Sequence, residues 1–148
     1  MKCGFIGLGV LGSKMAAKIL DAGHALRVYD RDTKAVDKLV AAGAINARSV
    51  QEATSNIDAL ITCLPSPAAC EEVMTGDSGA LSSLAPGNCW IEMSTTDVDE
   101  MKRLALLAGE KSIDVLECPA TGGVHRATKG QMTLLVGGDE TLLHQYRP

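Results

Sequence analysis

The chain has 148 residues, of which 46% are hydrophobic and 22% charged, and its formal net charge is −4. This length suits one domain with its own core, and the composition excludes a disordered chain. The acidic balance and the few aromatic residues argue against nucleic-acid binding. No segment reaches the roughly 18 consecutive apolar residues that a membrane span needs. We therefore expect a cytoplasmic protein that binds neither nucleic acid nor membrane.

Short apolar runs alternate with helical patterns along the chain. Strands are predicted at residues 3–6, 25–29, 58–64, 88–93, 113–119 and 132–138. Helices are predicted at about 11–22, 32–43, 49–53, 66–74, 95–109 and from 139 onward, with caps at Asp32 or Thr33, Ser49 and Ser66 and stops at Gly43 and Gly109. This alternation predicts a doubly wound α/β domain with a mostly parallel sheet, of Rossmann type.

Five cysteines are scattered through the apolar runs. Their number is odd and no two form a C-x-x-C pair, so we expect buried reduced thiols rather than metal ligands. The histidines and carboxylates show no metal-ligand spacing, and no metal site is predicted.

Three glycines after the first predicted strand match the pattern G-x-G-x-x-G. A helix begins directly after them, and a second strand leads to an acidic residue 18 positions past the last glycine, as in dinucleotide-binding domains. Gly7 would form the tight turn, Gly9 would let the backbone approach a pyrophosphate, and Gly12 would let helix and strand pack closely. The predicted cofactor loop is Gly7, Leu8, Gly9, Val10, Leu11 and Gly12, with the N–H groups of Val10 and Leu11 facing the phosphates.

Two other interpretations of this loop compete with dinucleotide binding. The glycines could serve only a tight strand-to-helix connection. Flavoproteins and methyl-donor enzymes use similar loops, but the latter favour an acidic residue where Phe5 and Ile6 stand here. The context therefore favours a dinucleotide.

Asp30 and Arg31 bear on which dinucleotide binds. The Asp30 carboxylate can accept hydrogen bonds from both adenosine ribose hydroxyls and would repel a 2′-phosphate. Arg31 can stack on adenine, pair with that phosphate or lie in solvent as a turn residue. The pair favours NAD, with NADP as the alternative.

Four stretches together resemble the β-hydroxyacid dehydrogenases, the group that contains 3-hydroxyisobutyrate and 6-phosphogluconate dehydrogenases. They are GFIGLGVLGSKMA, in which Leu11 replaces the usual methionine, CLPSPAACEEV, EMSTTDVDEMKRLA and CPATGGVHRATKGQMTLLVGG, in which Thr121 replaces the usual serine. The resemblance implies that Leu64 and Pro65 contact the cofactor and that Ser94 and Thr95 lie near the nicotinamide ribose, with Thr95 on the cofactor and Ser94 on the substrate. It also implies that Thr121, Gly122 and Gly123 bind a substrate carboxylate.

The resemblance further implies a function and a domain organisation. Residues 1–148 correspond to the NAD(P)-binding half of such an enzyme, which transfers hydride between nicotinamide and a small 3-hydroxyacid. The catalytic lysine and a helical, dimer-forming domain are expected beyond Pro148, so no catalytic residue is predicted here, and Lys129 and His125 are not expected to replace that lysine. A homo-oligomer is expected at full length. The alternative is a non-catalytic dinucleotide-binding or sensor module.

Overall fold

The computed structural model describes residues 1–147. Within these residues, nine strands and seven α-helices follow one another in chain order. They are β1 (Lys2–Ile6), α1 (Gly12–Asp21), β2 (Ala25–Tyr29), α2 (Thr33–Ala41), β3 (Ile45–Asn46), α3 (Val50–Ala53), β4 (Ala59–Thr62), α4 (Pro67–Thr75), β5 (Cys89–Glu92), α5 (Val98–Glu110), β6 (Asp114–Glu117), β7 (Ala120–Thr121), α6 (Gly123–Thr128), β8 (Thr133–Leu134), β9 (Gly137–Gly138) and α7 (Glu140–Tyr146), with a single 3₁₀ turn at Ala80–Ser82.

The main sheet has the strand order β3-β2-β1-β4-β5-β6-β9. All neighbours in it pair in parallel except β9, which runs antiparallel to β6. β7 and β8 form a separate two-stranded antiparallel sheet. The predicted doubly wound, mostly parallel fold is confirmed. Its strand order reverses between β1 and β4, the position where such sheets bind ligands beyond the carboxyl ends of their strands.

The hydrophobic core has a layer on each face of the sheet. Because successive side chains of a strand point to opposite faces, Phe5 and Ile61 pack in one layer, while Ile6 and Leu60 pack in the other. Trp90 is fully buried in the layer under α4 and α5. Burial on both faces explains why the central strands are apolar runs rather than alternating ones.

The predicted helix caps form as hydrogen bonds. Asp32 accepts from the Lys34 N–H at 3.0 Å, and Ser49 and Ser66 accept from the residues three positions on, at 3.1 and 3.2 Å. Each bond satisfies one of the N–H groups that a helix start leaves without an intrahelical partner.

Several predicted boundaries were wrong. α5 passes Gly109 and ends at Glu110, and the chain reverses at Ser112, which has a φ of 58°. The run at 132–138 is two short strands in different sheets, β8 and β9, rather than one strand. β3 and α6 were not predicted. None of the helices described over residues 1–147 has the length and apolar character to cross a bilayer.

Candidate functional site

A cleft of about 410 Å³ opens at the carboxyl ends of β1 and β4. Its walls come from the loop after β1, the residues after β2, the residues after β4 and one face of α4. The lining residues are Ile6, Gly7, Gly9, Val10, Leu11, Gly12, Tyr29, Asp30, Arg31, Cys63, Leu64, Pro65, Ala69 and Val73. The structure thus brings together nine of the residues that the sequence assigned to a cofactor.

The three glycines of the loop meet three different surroundings. Gly7 has a φ of 98°, and a Cβ there would overlap the carbonyl of Cys63 on the neighbouring strand end. A Cβ on Gly12 would overlap the Gly7 carbonyl, so α1 could not approach the loop this closely. A Cβ on Gly9 would meet nothing within 4 Å. Gly7 and Gly12 are required by the protein's own packing, whereas Gly9 leaves space inside the cleft.

The first turn of α1 has no side-chain cap. Leu11 holds the N-cap position and forms no capping hydrogen bond. Over residues 1–147, the backbone N–H groups of Gly9, Val10 and Leu11 find no protein acceptor. These donors lie at the positive end of the helix dipole and in the wall of the cleft, where an anion is the natural partner.

Asp30 is held in place by the backbone on both sides of it. Its Oδ2 accepts from the Leu8 N–H at 2.5 Å, and its Oδ1 accepts from the Asp32 N–H at 2.7 Å. A carboxylate oxygen can accept two hydrogen bonds, so each oxygen keeps one free lone pair. Leu8 therefore positions Asp30 with its N–H, and its own side chain is buried in the core.

The opposite end of the cleft is built from Leu64 and Pro65. The Leu64 N–H donates to Ser94 Oγ at 2.7 Å, which ties the segment after β4 to the segment after β5. Ser94 is buried, whereas Thr95 beside it is exposed. Neither of these two residues lines the cleft.

A buried carboxylate supports this end and was not singled out in the sequence. Glu92 is fully buried at the end of β5. Its Oε1 accepts from the Ser94 N–H at 2.5 Å, and its Oε2 accepts from Thr62 Oγ1 at 2.6 Å and from Cys70 Sγ at 3.1 Å. Trp90 Nε1 donates to the same Thr62 hydroxyl at 2.8 Å. An acidic residue inside the apolar run NCWIEM was the signal that could have found it, because buried carboxylates need several donors.

One cysteine lines the cleft. Burial, together with the negative charge of Glu92, raises the pKa of the Cys63 thiol to about 11. The thiol is therefore neutral near pH 7 and is a poor nucleophile. All five cysteines are free thiols, and within residues 1–147 no three His, Cys, Asp or Glu side chains are grouped to hold a metal.

The residues assigned to a substrate carboxylate lie apart from the cleft lining. Thr121 is exposed at the end of β7, and Gly122 and Gly123 lead into α6 with φ values of 132° and 72°. A Cβ on Gly122 would lie 2.9 Å from the Arg126 side chain and 3.3 Å from Met132 Sδ. The glycine here allows a close turn against α6.

The cleft fits the chemistry of a dinucleotide. Free N–H donors and open space meet at Gly9, and an oriented carboxylate stands at the end of β2. Residues 2–148 match the family model described as the NAD binding domain of 6-phosphogluconate dehydrogenase. The chain belongs to this family. The resemblance to the hydroxyacid dehydrogenases is confirmed, as is the prediction of an NAD(P) cofactor.

Relatives of this NAD-binding domain are longer than the chain itself. An NAD-dependent L-serine dehydrogenase of Pseudomonas aeruginosa is 40% identical over 97% of this chain, which covers 48% of that protein. The cytokine-like nuclear factor N-PAC of Homo sapiens is 33% identical over 95% of this chain and 26% of its own length. The chain thus spans about half, or less, of these curated relatives.

A solved structure shows the same arrangement of elements. The 3-hydroxyisobutyrate dehydrogenase of Mycobacterium tuberculosis, solved with L-serine, superposes with a TM-score of 0.92 and is 33% identical. The superposition covers 99% of this NAD-binding domain and 50% of that chain. The cleft described above therefore lies in a domain that matches half of a hydroxyacid dehydrogenase.

Proposed function

We propose that this domain binds NAD(H) in the cleft between β1 and β4 and serves an oxidoreductase that acts on a small 3-hydroxyacid. The observation that carries the proposal is the uncapped start of α1, where three N–H groups without protein acceptors border the open space at Gly9. The activities for which these relatives are named support the substrate class, since L-serine and 3-hydroxyisobutyrate are both small 3-hydroxyacids.

Each part of the cleft has a proposed task in holding the cofactor. The N–H groups of Gly9, Val10 and Leu11 would bind the pyrophosphate, and Asp30 would accept from the adenosine ribose hydroxyls. Leu64 and Pro65 would contact the nicotinamide half of the cofactor, and Thr95 would lie near the nicotinamide ribose. When bound, NAD supplies the acceptor for a hydride from the substrate's hydroxyl carbon.

The substrate site and the proton-transfer group are further parts of the proposal. Ser94, with Thr121, Gly122 and Gly123, is proposed to contact the substrate, the last three through its carboxylate. The exposed Thr121 hydroxyl and the turn at Gly122 and Gly123 support this role. The lysine that moves the proton is proposed to lie beyond Pro148, in a helical domain that the full-length protein would use to form a homo-oligomer.

A second candidate function is a dinucleotide-binding or sensor module without catalysis. The match to N-PAC favours it, because that protein is named as a nuclear factor rather than as a dehydrogenase. A cytoplasmic location is proposed for the protein in the catalytic case. The free thiols support a reducing compartment.

Titration of the chain with NADH, followed by the fluorescence of the reduced nicotinamide, tests the shared part of both functions. We expect saturable binding that ADP-ribose competes away, because ADP-ribose carries the same pyrophosphate and adenosine ribose. Absence of NADH and NADPH binding up to millimolar concentrations would contradict the proposal. Assay of the full-length protein with L-serine and 3-hydroxyisobutyrate then separates an enzyme, which reduces NAD, from a module that binds it without turnover.

A further inference from the structure

An ion pair crosses the open rim of the cleft at its adenosine end. Arg31 follows β2, and its Nη2 lies 2.7 Å from Oε2 of Glu72 on α4. Ala69 and Val73 line the cleft from the same helix, and residues three or four positions apart share one face of a helix. Glu72 therefore stands on the cleft side of α4, and its bond to Arg31 connects the two walls.

The preceding residue, Glu71, makes a matching ion pair with an arginine of a different element. Glu71 Oε1 lies 2.7 Å from Arg103 Nη2 on α5, and Arg103, unlike Arg31, does not line the cleft. Both glutamates are exposed and each is paired to one arginine. The arginine paired with Glu72 lines the cleft, whereas the arginine paired with Glu71 does not. Glu71 is therefore a matched control for Glu72.

The charges at this rim affect the binding of the 2′-phosphate that distinguishes NADP from NAD. Arg31 is the one cationic side chain among the residues that line the described cleft, and it pairs with the carboxylate of Glu72. A 2′-phosphate carries a charge of about −1.5 to −2 near pH 7. To recruit the Arg31 guanidinium, such a phosphate must displace Glu72 and approach a second negative charge.

We propose that Glu72 is a specificity-determining residue that disfavours NADP by occupying Arg31. This assignment rests on the proposed binding of the cofactor in the cleft. Asp30 acts directly, by repelling the 2′-phosphate and accepting from the ribose. Glu72 acts indirectly through Arg31, because it neutralises the guanidinium that would otherwise attract that phosphate. A sequence comparison of the β2 end alone would miss it, since Glu72 is 41 positions further along the chain.

The expected effect lies in binding rather than in the stability of the fold. Both side chains are more than 60% exposed, and exposed ion pairs contribute little to folding because water and salt screen them. Removal of the Glu72 charge should therefore leave the fold intact. The change in NADP affinity should be larger at low ionic strength, where the charges are less screened.

The test compares Glu72→Gln with Glu71→Gln in the 148-residue chain. Dissociation constants for NADH and NADPH are measured by fluorescence titration and checked by calorimetry, at about 20 mM and about 500 mM salt. For Glu72→Gln we expect NADPH to bind about fivefold more tightly at low salt, with NADH changed by less than about twofold. Glu71→Gln should leave both constants unchanged.

A double variant shows whether the effect passes through Arg31. In an Arg31→Gln background, the gain in NADPH affinity from Glu72→Gln should fall to less than about twofold, because no guanidinium is left to release and only the repulsion between Glu72 and the 2′-phosphate is relieved. Saturable NADH binding together with an unchanged NADPH to NADH ratio in Glu72→Gln would overturn this assignment alone. Absence of NADH binding by the wild-type chain would overturn the proposed function as well, so the two failures are distinguishable.

Discussion

At the scale of single residues, the loop after β1 contains two glycines that the fold requires and one that we propose makes room for the ligand. Gly7 and Gly12 have protein atoms where a Cβ would stand, and Gly9 has open space. The fingerprint pattern alone treats the three as equivalent. Their surroundings predict that alanine at Gly12 mainly lowers the stability of the fold, whereas alanine at Gly9 mainly weakens cofactor binding.

We predict that Gly9→Ala leaves the free energy of unfolding nearly unchanged and weakens NADH binding by roughly tenfold, since a methyl group would fill the space where a phosphate approaches the loop. Gly12→Ala should instead lower the free energy of unfolding by about 1–3 kcal/mol, because its Cβ would overlap the Gly7 carbonyl. Urea denaturation and NADH titration measure the two effects.

Gly109 provides the control for these substitutions. It is exposed within α5, and a Cβ there would meet nothing within 4 Å. Gly109→Ala should therefore raise the free energy of unfolding by about 0.5–1 kcal/mol through the better helix propensity of alanine. NADH binding should not change. A Gly9→Ala variant that binds NADH as the wild type does would contradict the assigned role of Gly9.

At the scale of elements, the ends of β4, β5 and α4 are joined by one buried polar cluster, formed by Glu92, Thr62, Cys70 and Ser94. Three donors meet one carboxylate, so all of them are satisfied without water. The cluster holds Ser94, which in turn accepts from the Leu64 N–H at the rim of the cleft. The position of the end of the cleft formed by Leu64 and Pro65 thus depends on Glu92, which does not itself line the cleft.

We predict that Glu92→Gln lowers the free energy of unfolding by about 1–3 kcal/mol, because the amide offers one oxygen where the carboxylate offered two, and a buried donor loses its acceptor. Urea denaturation provides the measurement. Glu117→Gln is the control, since Glu117 pairs with Glu92 in register on β6 and is less buried. Equal losses in the two variants would show that the cluster contributes nothing specific.

The elements that could be predicted from sequence are those with a strong local pattern. Caps such as Ser66 and apolar runs such as β4 carry their own signal, and the doubly wound, mostly parallel fold followed from the alternation of strands and helices. β3 was missed because it has only two residues, Ile45 and Asn46, both exposed. β9 consists of Gly137 and Gly138 and exists only through pairing with β6, which no local pattern reveals.

The residues of the candidate site also differ in how well the sequence predicts them. The predicted cofactor loop and Asp30 follow from glycine spacing and strand position, which are properties of nearby residues. Glu72 and Glu92 act through partners that lie 41 and 30 positions away in the chain, Arg31 and Thr62. Pairings over such distances depend on how the sheet and its helices assemble, so a single sequence contains no pattern for them.

At the scale of the whole molecule, the free thiols are distributed through the core layers and have their pKa values raised. Burial is the largest cause in each case, with nearby carboxylates adding to it for Cys63 and Cys118, whose pKa values are both about 11. The pKa of Cys89 is raised to about 12 by burial and by Asp114. An unfolded chain would have thiol pKa values of about 8.5.

We predict that the free energy of unfolding is insensitive to these thiols below about pH 8.5 and falls as the pH rises from there toward 11. In this window the unfolded chain releases thiol protons while the folded chain retains them, so ionisation favours unfolding. Urea denaturation at pH 8, 9 and 10 measures the decline. Since lysine and tyrosine also titrate at high pH, the informative quantity is the difference from Cys63→Ala, which should lose less stability across the window than the wild type does. Identical declines in the two proteins would show that the Cys63 thiol does not contribute.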